Sequence, residues 1–209
     1  MELINEIDAI KAELAELERT EVKIALFGQP GAGKSSLINS IIGQGVANTG
    51  ARTDVTTGAE VYVHNGVRFV DLPGYGTARF TANEWLEQFN PEQYDMFLCV
   101  FSGKFHESDT VLFRELQAKN KVCVFVRSKA DEIWDQGKSI TESKEDIAQD
   151  VNGQVGKTVK TFFISNRTGE GVEALYTVIE DNLNAAKRVR FIMAGDAKSK
   201  EFLMEKKAV

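Results

Sequence analysis

The chain contains few cysteines, histidines and prolines. The shortage of cysteine and histidine restricts the disulfides and metal sites that it can form. Its 209 residues include two cysteines, two histidines and three prolines. Cys99 and Cys123 each lie inside an apolar run, which favours buried reduced thiols over a disulfide or a metal site. His64 and His106 have no partner at a metal-ligand spacing. Neither a disulfide scaffold nor a Cys/His metal centre is therefore predicted.

Excess basic charge and long apolar runs are also missing. The 25 Lys and Arg residues against 31 Asp and Glu residues leave a net charge of -6, which argues against a nucleic-acid partner. No apolar stretch approaches the ~20 residues that span a bilayer, and the acidic N-terminus differs from a signal peptide. We therefore expect a cytoplasmic protein without a transmembrane segment, with peripheral membrane contact left open.

What the chain does contain is a phosphate-binding loop. Residues 28–36 fit the pattern G-x-x-x-x-G-K-[ST], between an apolar run at 22–27 and helical spacing at 37–42. Glycines let successive backbone N–H groups surround a phosphate, and the following helix adds its positive N-terminal end. Lys34 would reach the β- and γ-phosphates, and Ser35 would bind Mg²⁺. The predicted nucleotide contacts are Gly28, Gly31, Ala32, Gly33, Lys34, Ser35 and Ser36.

Strand and helix periodicities alternate along the rest of the chain. Strands are predicted at 22–27, 60–64, 67–71, 94–101, 121–127 and 160–164. Helices are predicted at 2–19, 37–42, 81–89, 107–119, 141–155, 172–188 and 189–209. This order indicates an α/β fold, a mostly parallel sheet with helices on both faces, extended by N- and C-terminal helices. The expected units are a helix at 1–20, a nucleotide-binding domain at 21–188 and a tail at 189–209.

The helix at 2–19 carries a regular apolar stripe. Its members are Leu3, Ile7, Ile10, Leu14 and Leu17. Packing on the body of the same domain is favoured over pairing with a partner helix. Trp85 and Trp134 are likewise predicted to pack rather than to contact a cofactor.

The hairpin and its flanking loops supply metal and switch candidates. Asp71 ends a strand downstream of the phosphate loop, where it can hold Mg²⁺ through water, and Gly74 can offer its N–H to the γ-phosphate. A hydroxyl before the hairpin can complete the metal shell only when that phosphate is present. Thr56 is the first choice and Thr57 the second. The predicted catalytic set is Lys34, Thr56 and Gly74; the metal set is Ser35, Thr56 and Asp71.

Two later loops predict recognition of guanine. Asp131 follows a buried strand, and its carboxylate can accept hydrogen bonds from N1 and N2 of guanine, which adenine cannot donate. The Lys129 stem can lie along the purine ring, with Ser128 completing the motif. Ser165 and Asn166, after the last strand, can close the base pocket. The predicted ligands are GTP and GDP.

Taken in order, these motifs resemble the translation-factor-related GTPases and, more closely, the immunity-related GTPases and their bacterial relatives. The matching segments are GKSSLIN at 33–39, DLPGYGT at 71–77, YDMF at 94–97 and FVRSKAD at 125–131. The resemblance covers roughly residues 20–190. It implies hydrolysis of GTP to GDP with Mg²⁺, and a helical domain that is here reduced to the chain ends.

Five positions depart from the wider GTPase pattern or add to it. Ser128 replaces the usual Asn and removes an amide that could brace the base and the phosphate loop. Tyr75 stands where many small GTPases carry a water-positioning Gln, so catalysis needs a backbone group, a partner or the substrate's own phosphate. Gly31 stands where potassium-activated relatives carry an Asn, so the sequence gives no support for activation by potassium. Arg52 and Arg79 are interpreted as solvated loop arginines, with transition-state stabilisation as the other reading.

The predicted function is a slow GTPase that acts as a conformational switch toward an effector protein or a second copy. Two alternatives stay open: a nucleotide-dependent interaction module with little hydrolysis, which Tyr75 permits, and an ATPase or small-molecule kinase that shares only the phosphate loop. No arginine-rich lid or acceptor site of a kinase is recognisable.

Overall fold

The computed structural model describes residues 2–42, 52–53, 58–73 and 81–195. The strands in these ranges are β1 Val22–Gly28, β2 Arg52–Thr53, β3 Glu60–His64, β4 Val67–Asp71, β5 Met96–Phe101, β6 Val122–Arg127 and β7 Thr161–Phe163. The α-helices are α1 Glu2–Arg19, α2 Lys34–Ile42, α3 Ala82–Phe89, α4 Glu107–Ala118, α5 Ile140–Val155, α6 Val172–Asp181 and α7 Ala185–Ala194.

The strands form one sheet in the order β2-β3-β4-β1-β5-β6-β7. β1 pairs in parallel with β4 and β5, and β6 pairs in parallel with β5 and β7. The hairpin partners β3 and β4 are antiparallel. Their turn has φ of 44° at Asn65 and 81° at Gly66, because a tight hairpin needs left-handed residues at its centre. The predicted mostly parallel sheet is confirmed.

Successive residues of β1 point into two separate cores. Ile24 and Leu26 belong to one apolar cluster, while Ala25 and Phe27 belong to the other. α2, α6 and α7 contribute to the first cluster, and α3, α4 and α5 contribute to the second. Since neighbouring side chains of a strand face opposite sides of a sheet, helices cover both faces, as predicted.

The single helix predicted over 172–188 is wrong. α6 ends at Asp181, and α7 begins at Ala185. The Asn184 side chain accepts the Lys187 N–H at 3.0 Å, so Asn184 caps a new helix instead of continuing the old one. α7 therefore runs across the expected unit boundary at 188/189. The predicted helix beyond Gly195 lies outside the described residues.

The apolar stripe of α1 is largely uncovered. α1 contacts α7, and Leu17 is half-buried. Ile7, Ile10 and Leu14, in contrast, are 44%, 56% and 53% exposed. The expectation that the stripe packs on the body of the domain is wrong for the middle of this helix. No helix among the described residues is long and apolar enough to cross a membrane.

The two tryptophans behave differently. Trp85 is fully buried, and its indole N–H donates to the Pro73 carbonyl at 2.9 Å. Trp134 is 81% exposed, so its predicted packing is wrong. It follows the one-turn helix Ala130–Glu132, and Ile133 takes the buried position beside it.

Candidate nucleotide-binding site

The phosphate loop begins where β1 ends against its neighbour β5. Gly28 has a φ of +128°, and a Cβ there would lie 2.0 Å from the Val100 carbonyl oxygen, so no other residue fits. Gly31 and Gly33 have φ of +75° and +84°. Among the described residues, a Cβ on Gly31 would meet nothing within 4 Å. The loop then enters α2 at Lys34.

The Lys34 ammonium lies over the loop. Its Nζ donates to the carbonyls of Gly28 and Gln29 at 3.3 and 3.2 Å. The same atom is 3.5 Å from Oδ1 of Asp71, at the end of β4. Burial raises the pKa of Asp71 to about 6, and the positive charge of Lys34 opposes that rise. The predicted phosphate-binding cation and the predicted metal-binding carboxylate are therefore neighbours.

Sequence reasoning missed Tyr62, which contacts Ser35, and Glu60, which contacts Tyr62. The Ser35 Oγ lies 3.3 Å from the Tyr62 hydroxyl, which in turn donates to Glu60 Oε2 at 2.6 Å. Both belong to β3, and Glu60 faces Asp71 across the hairpin register. The signal that could have found them is the two-residue period of the hairpin, which places 60 and 62 on one face.

The structure supplies oxygen donors on this side of the loop, the Ser35 hydroxyl and the Asp71 carboxylate. These are the hard ligands that Mg²⁺ prefers, so the residues present fit that ion. No group of three or more His, Cys, Asp or Glu positioned for a metal occurs in the described ranges.

Ser128 connects the segment that leads to Asp131 with the phosphate loop. It is fully buried, and its hydroxyl donates to the Ala32 carbonyl at 2.5 Å, with the Phe101 carbonyl at 3.2 Å. Ser128 therefore lacks the amide of the usual Asn but still contacts the phosphate loop, because the serine hydroxyl makes that contact itself.

Asp131 is held by the loop that follows β7. Hydrogen bonds from Ser165 and then Arg167 lower the pKa of Asp131, with Arg167 Nε 2.7 Å from Oδ2. Asn166 accepts the Ser40 hydroxyl at 3.0 Å and so connects this loop to α2. Lys129 has a left-handed φ of 53°, which directs the chain into the turn carrying Asp131. The predicted base-side residues thus meet beside the phosphate loop.

Several sequence candidates have no described position. Thr56, Thr57, Gly74, Tyr75 and Arg79 lie outside the described residues. The side chain of Arg52 is likewise outside them, although its backbone pairs with β3. Cys99 and Cys123 are free thiols, and burial raises the pKa of Cys123 to about 12.

The fold and this edge of the sheet define a P-loop nucleotide-binding domain. Solved structures agree on the fold. A probable GTP-binding protein engB superposes with a TM-score of 0.57 at 18% identity, covering 77% of this chain and 98% of that one. Era from Aquifex aeolicus gives a TM-score of 0.54 at 18% identity, covering 79% of this chain and 57% of that one.

Sequence comparison identifies the family. The model of the interferon-inducible GTPases (IIGP) matches residues 1–168, and the chain belongs to this family. Mouse interferon-inducible GTPase 1 is 33% identical over 154 residues, which cover 68% of this chain and 37% of that protein. Bovine interferon-inducible GTPase 5 is 28% identical over 214 residues, which cover 93% of this chain and 46% of that protein. The chain thus spans less than half the length of these curated relatives.

Proposed function

We propose that this chain binds GTP and GDP with Mg²⁺ and hydrolyses GTP to GDP with slow intrinsic turnover. Its family relatives are named GTPases. The observation that carries the proposal is the Ser128 hydroxyl on the Ala32 carbonyl, which fixes the Asp131 loop to the phosphate loop.

The roles follow from position and charge. The phosphate-loop backbone binds phosphate oxygens, Lys34 neutralises charge that develops on the γ-phosphate, and Asp131 accepts from guanine. Ser35 and Asp71 would hold Mg²⁺, with Thr56 or Thr57 as the switch ligand and Gly74 as the γ-phosphate contact. A bound Mg²⁺ would supply positive charge that stabilises the transferring phosphate.

The proposal extends to a switch that reports the nucleotide state to an effector or to a second copy, in the cytoplasm, where GTP is supplied. Tyr75 in place of a water-positioning Gln favours one second candidate, an interaction module that exchanges GDP and GTP with little hydrolysis. The loops that carry Thr56 and Gly74 would serve a hydrolysing switch or a non-hydrolysing interaction module equally well.

Phosphate release from GTP and ATP, measured at several protein concentrations, tests base choice, catalysis and self-activation together. We expect release from GTP alone, and none from Lys34→Ala, which removes the cation over the loop. GTP binding without phosphate release would favour the interaction module. Equal release from ATP would refute the guanine assignment.

The base assignment has a sharper test in Asp131→Asn. An amide donates as well as accepts, so it suits xanthine, which carries a C2 carbonyl where guanine carries an amino group. We expect GTP binding to weaken and xanthosine triphosphate binding to strengthen in titration calorimetry. A variant that keeps full preference for GTP would contradict the role of Asp131.

A further inference from the structure

A chain of hydroxyl groups runs from Ser35 into β3. The Ser35 Oγ to Tyr62 Oη distance is 3.3 Å, and the Tyr62 Oη to Glu60 Oε2 distance is 2.6 Å. Because an ionised carboxylate can only accept, the Tyr62 proton is committed to Glu60. The Tyr62 oxygen is then left to accept the proton of Ser35.

This direction of the chain matters for a metal ligand. A serine hydroxyl binds a cation through its oxygen lone pairs, so its proton must point away and find an acceptor. Tyr62 is 2% exposed and lies on a strand of the sheet, so its ring is held in place by packing. The nearby Asp71 carboxylate is already paired with Lys34, whose Nζ lies 3.5 Å from Oδ1. The group that contacts the Ser35 hydroxyl is the Tyr62 hydroxyl.

We propose that Tyr62 is a positioning residue that orients the Ser35 hydroxyl toward Mg²⁺, and that Glu60 fixes the Tyr62 hydroxyl in turn. The inference rests on the proposed function, because it presumes that Ser35 is a metal ligand. Outer partners of this kind tune metal affinity without touching the ion.

The test is Tyr62→Phe, which removes the hydroxyl and keeps the ring. Release of a fluorescent GDP analogue is measured over a range of free Mg²⁺ concentrations and in EDTA. We expect the Mg²⁺ concentration for half-maximal retention to rise about tenfold, while the release rate in EDTA stays at the wild-type value. Tyr176→Phe is the matched control, since Tyr176 is a buried tyrosine of α6 that packs on Phe191 with ring centroids 4.8 Å apart.

Glu60→Ala provides a second variant, because Glu60 is exposed and its loss leaves the core intact. We expect a smaller shift in the same direction, and no additional shift when it is combined with Tyr62→Phe, since both act through one chain. An unchanged Mg²⁺ dependence in Tyr62→Phe, or faster release in EDTA, would overturn the positioning role alone. A wild-type protein whose GDP release ignores Mg²⁺ would overturn the metal assignment as well.

Discussion

At the scale of single residues, Ser128 carries a role usually expected of an amide. Its hydroxyl reaches Ala32, 96 positions away in the chain, and thereby holds the phosphate loop against the base loop. Ser128→Ala would leave the Ala32 carbonyl without this donor. We expect GDP binding to lose about 1–3 kcal/mol in titration calorimetry.

The control for this prediction is Ser128→Thr, which keeps a hydroxyl at the same atom. Guanine preference over hypoxanthine should survive in both variants, because Asp131 is untouched. If Ser128→Ala bound GDP as tightly as the wild type, the contact with Ala32 would not contribute to binding.

A second residue of interest contacts the Asp131 carboxylate. Arg167 donates to Oδ2 of Asp131 at 2.7 Å, although its side chain is 76% exposed. If Asp131 binds guanine as proposed, Arg167 and the base would compete for this carboxylate. Only the arginine end of this pair is exposed, since the Asp131 side chain is 13% exposed. We expect Arg167→Ala to strengthen GDP binding modestly, by up to about fivefold.

Stopped-flow association of a fluorescent GDP analogue checks this result. Lys138→Ala is the comparison, since it removes the exposed ion pair of Lys138 with Asp146 and should leave GDP binding unchanged. Weaker binding in Arg167→Ala would mean that the guanidinium contacts the nucleotide instead of competing with it.

At the scale of elements, local patterns predicted most of the sheet. The β3–β4 hairpin could be predicted from the sequence because both of its signals are local. These are the alternation of apolar and polar residues along the strands and the Asn65-Gly66 turn. The break between α6 and α7 was missed because apolar spacing continues through Leu183, and only Asn184 marks a new start. The two-residue β2 was missed because it exists through pairing with β3, which no local pattern encodes.

The same distinction applies to the site. The candidates Gly28 to Ser36 and Asp131 are predicted from local motifs whose residue types are chemically demanding. The Ser128 to Ala32 contact and the Tyr62 to Ser35 contact join separate elements. They depend on which strands become neighbours in the sheet, and a motif does not contain that information.

Asp95 ties α7 to the start of the sheet, which yields a prediction for an element. One carboxylate oxygen accepts the Lys23 backbone N–H at 2.9 Å, and the other pairs with Lys187 of α7. Asp95→Ala leaves that backbone donor without its partner. We expect the free energy of unfolding to fall by about 1–3 kcal/mol, measured by urea denaturation.

The matched control for Asp95 is Glu92→Ala. Glu92 pairs with Lys121 at 2.8 Å, but its side chain is 62% exposed. A pair of that kind should change the unfolding free energy by less than about 1 kcal/mol. Equal losses of unfolding free energy in the two variants would show that the Asp95 contacts stabilise the fold no more than the Glu92 ion pair does.

At the scale of the whole molecule, the candidate nucleotide site and α1 lie toward opposite ends of β1. The carboxyl ends of the parallel strands carry the candidate site. The amino end of β1 follows directly after α1, whose exposed isoleucines and Leu14 lie outside the core. If a second copy pairs with this domain as proposed, the contact could form at the nucleotide edge or along α1, and the two arrangements are separable by experiment.

If GTP drives pairing through the nucleotide edge, light scattering should give a larger mass with a non-hydrolysable GTP analogue than with GDP. Trp134 lies in the loop after Asp131 and is 81% exposed, whereas Trp85 is fully buried. Acrylamide quenching of tryptophan fluorescence therefore reports mainly on Trp134, and it should decrease on pairing. A larger mass with unchanged quenching would assign the contact to another surface such as α1, where Ile10→Lys should abolish it. Equal masses in the two nucleotide states would contradict pairing driven by GTP.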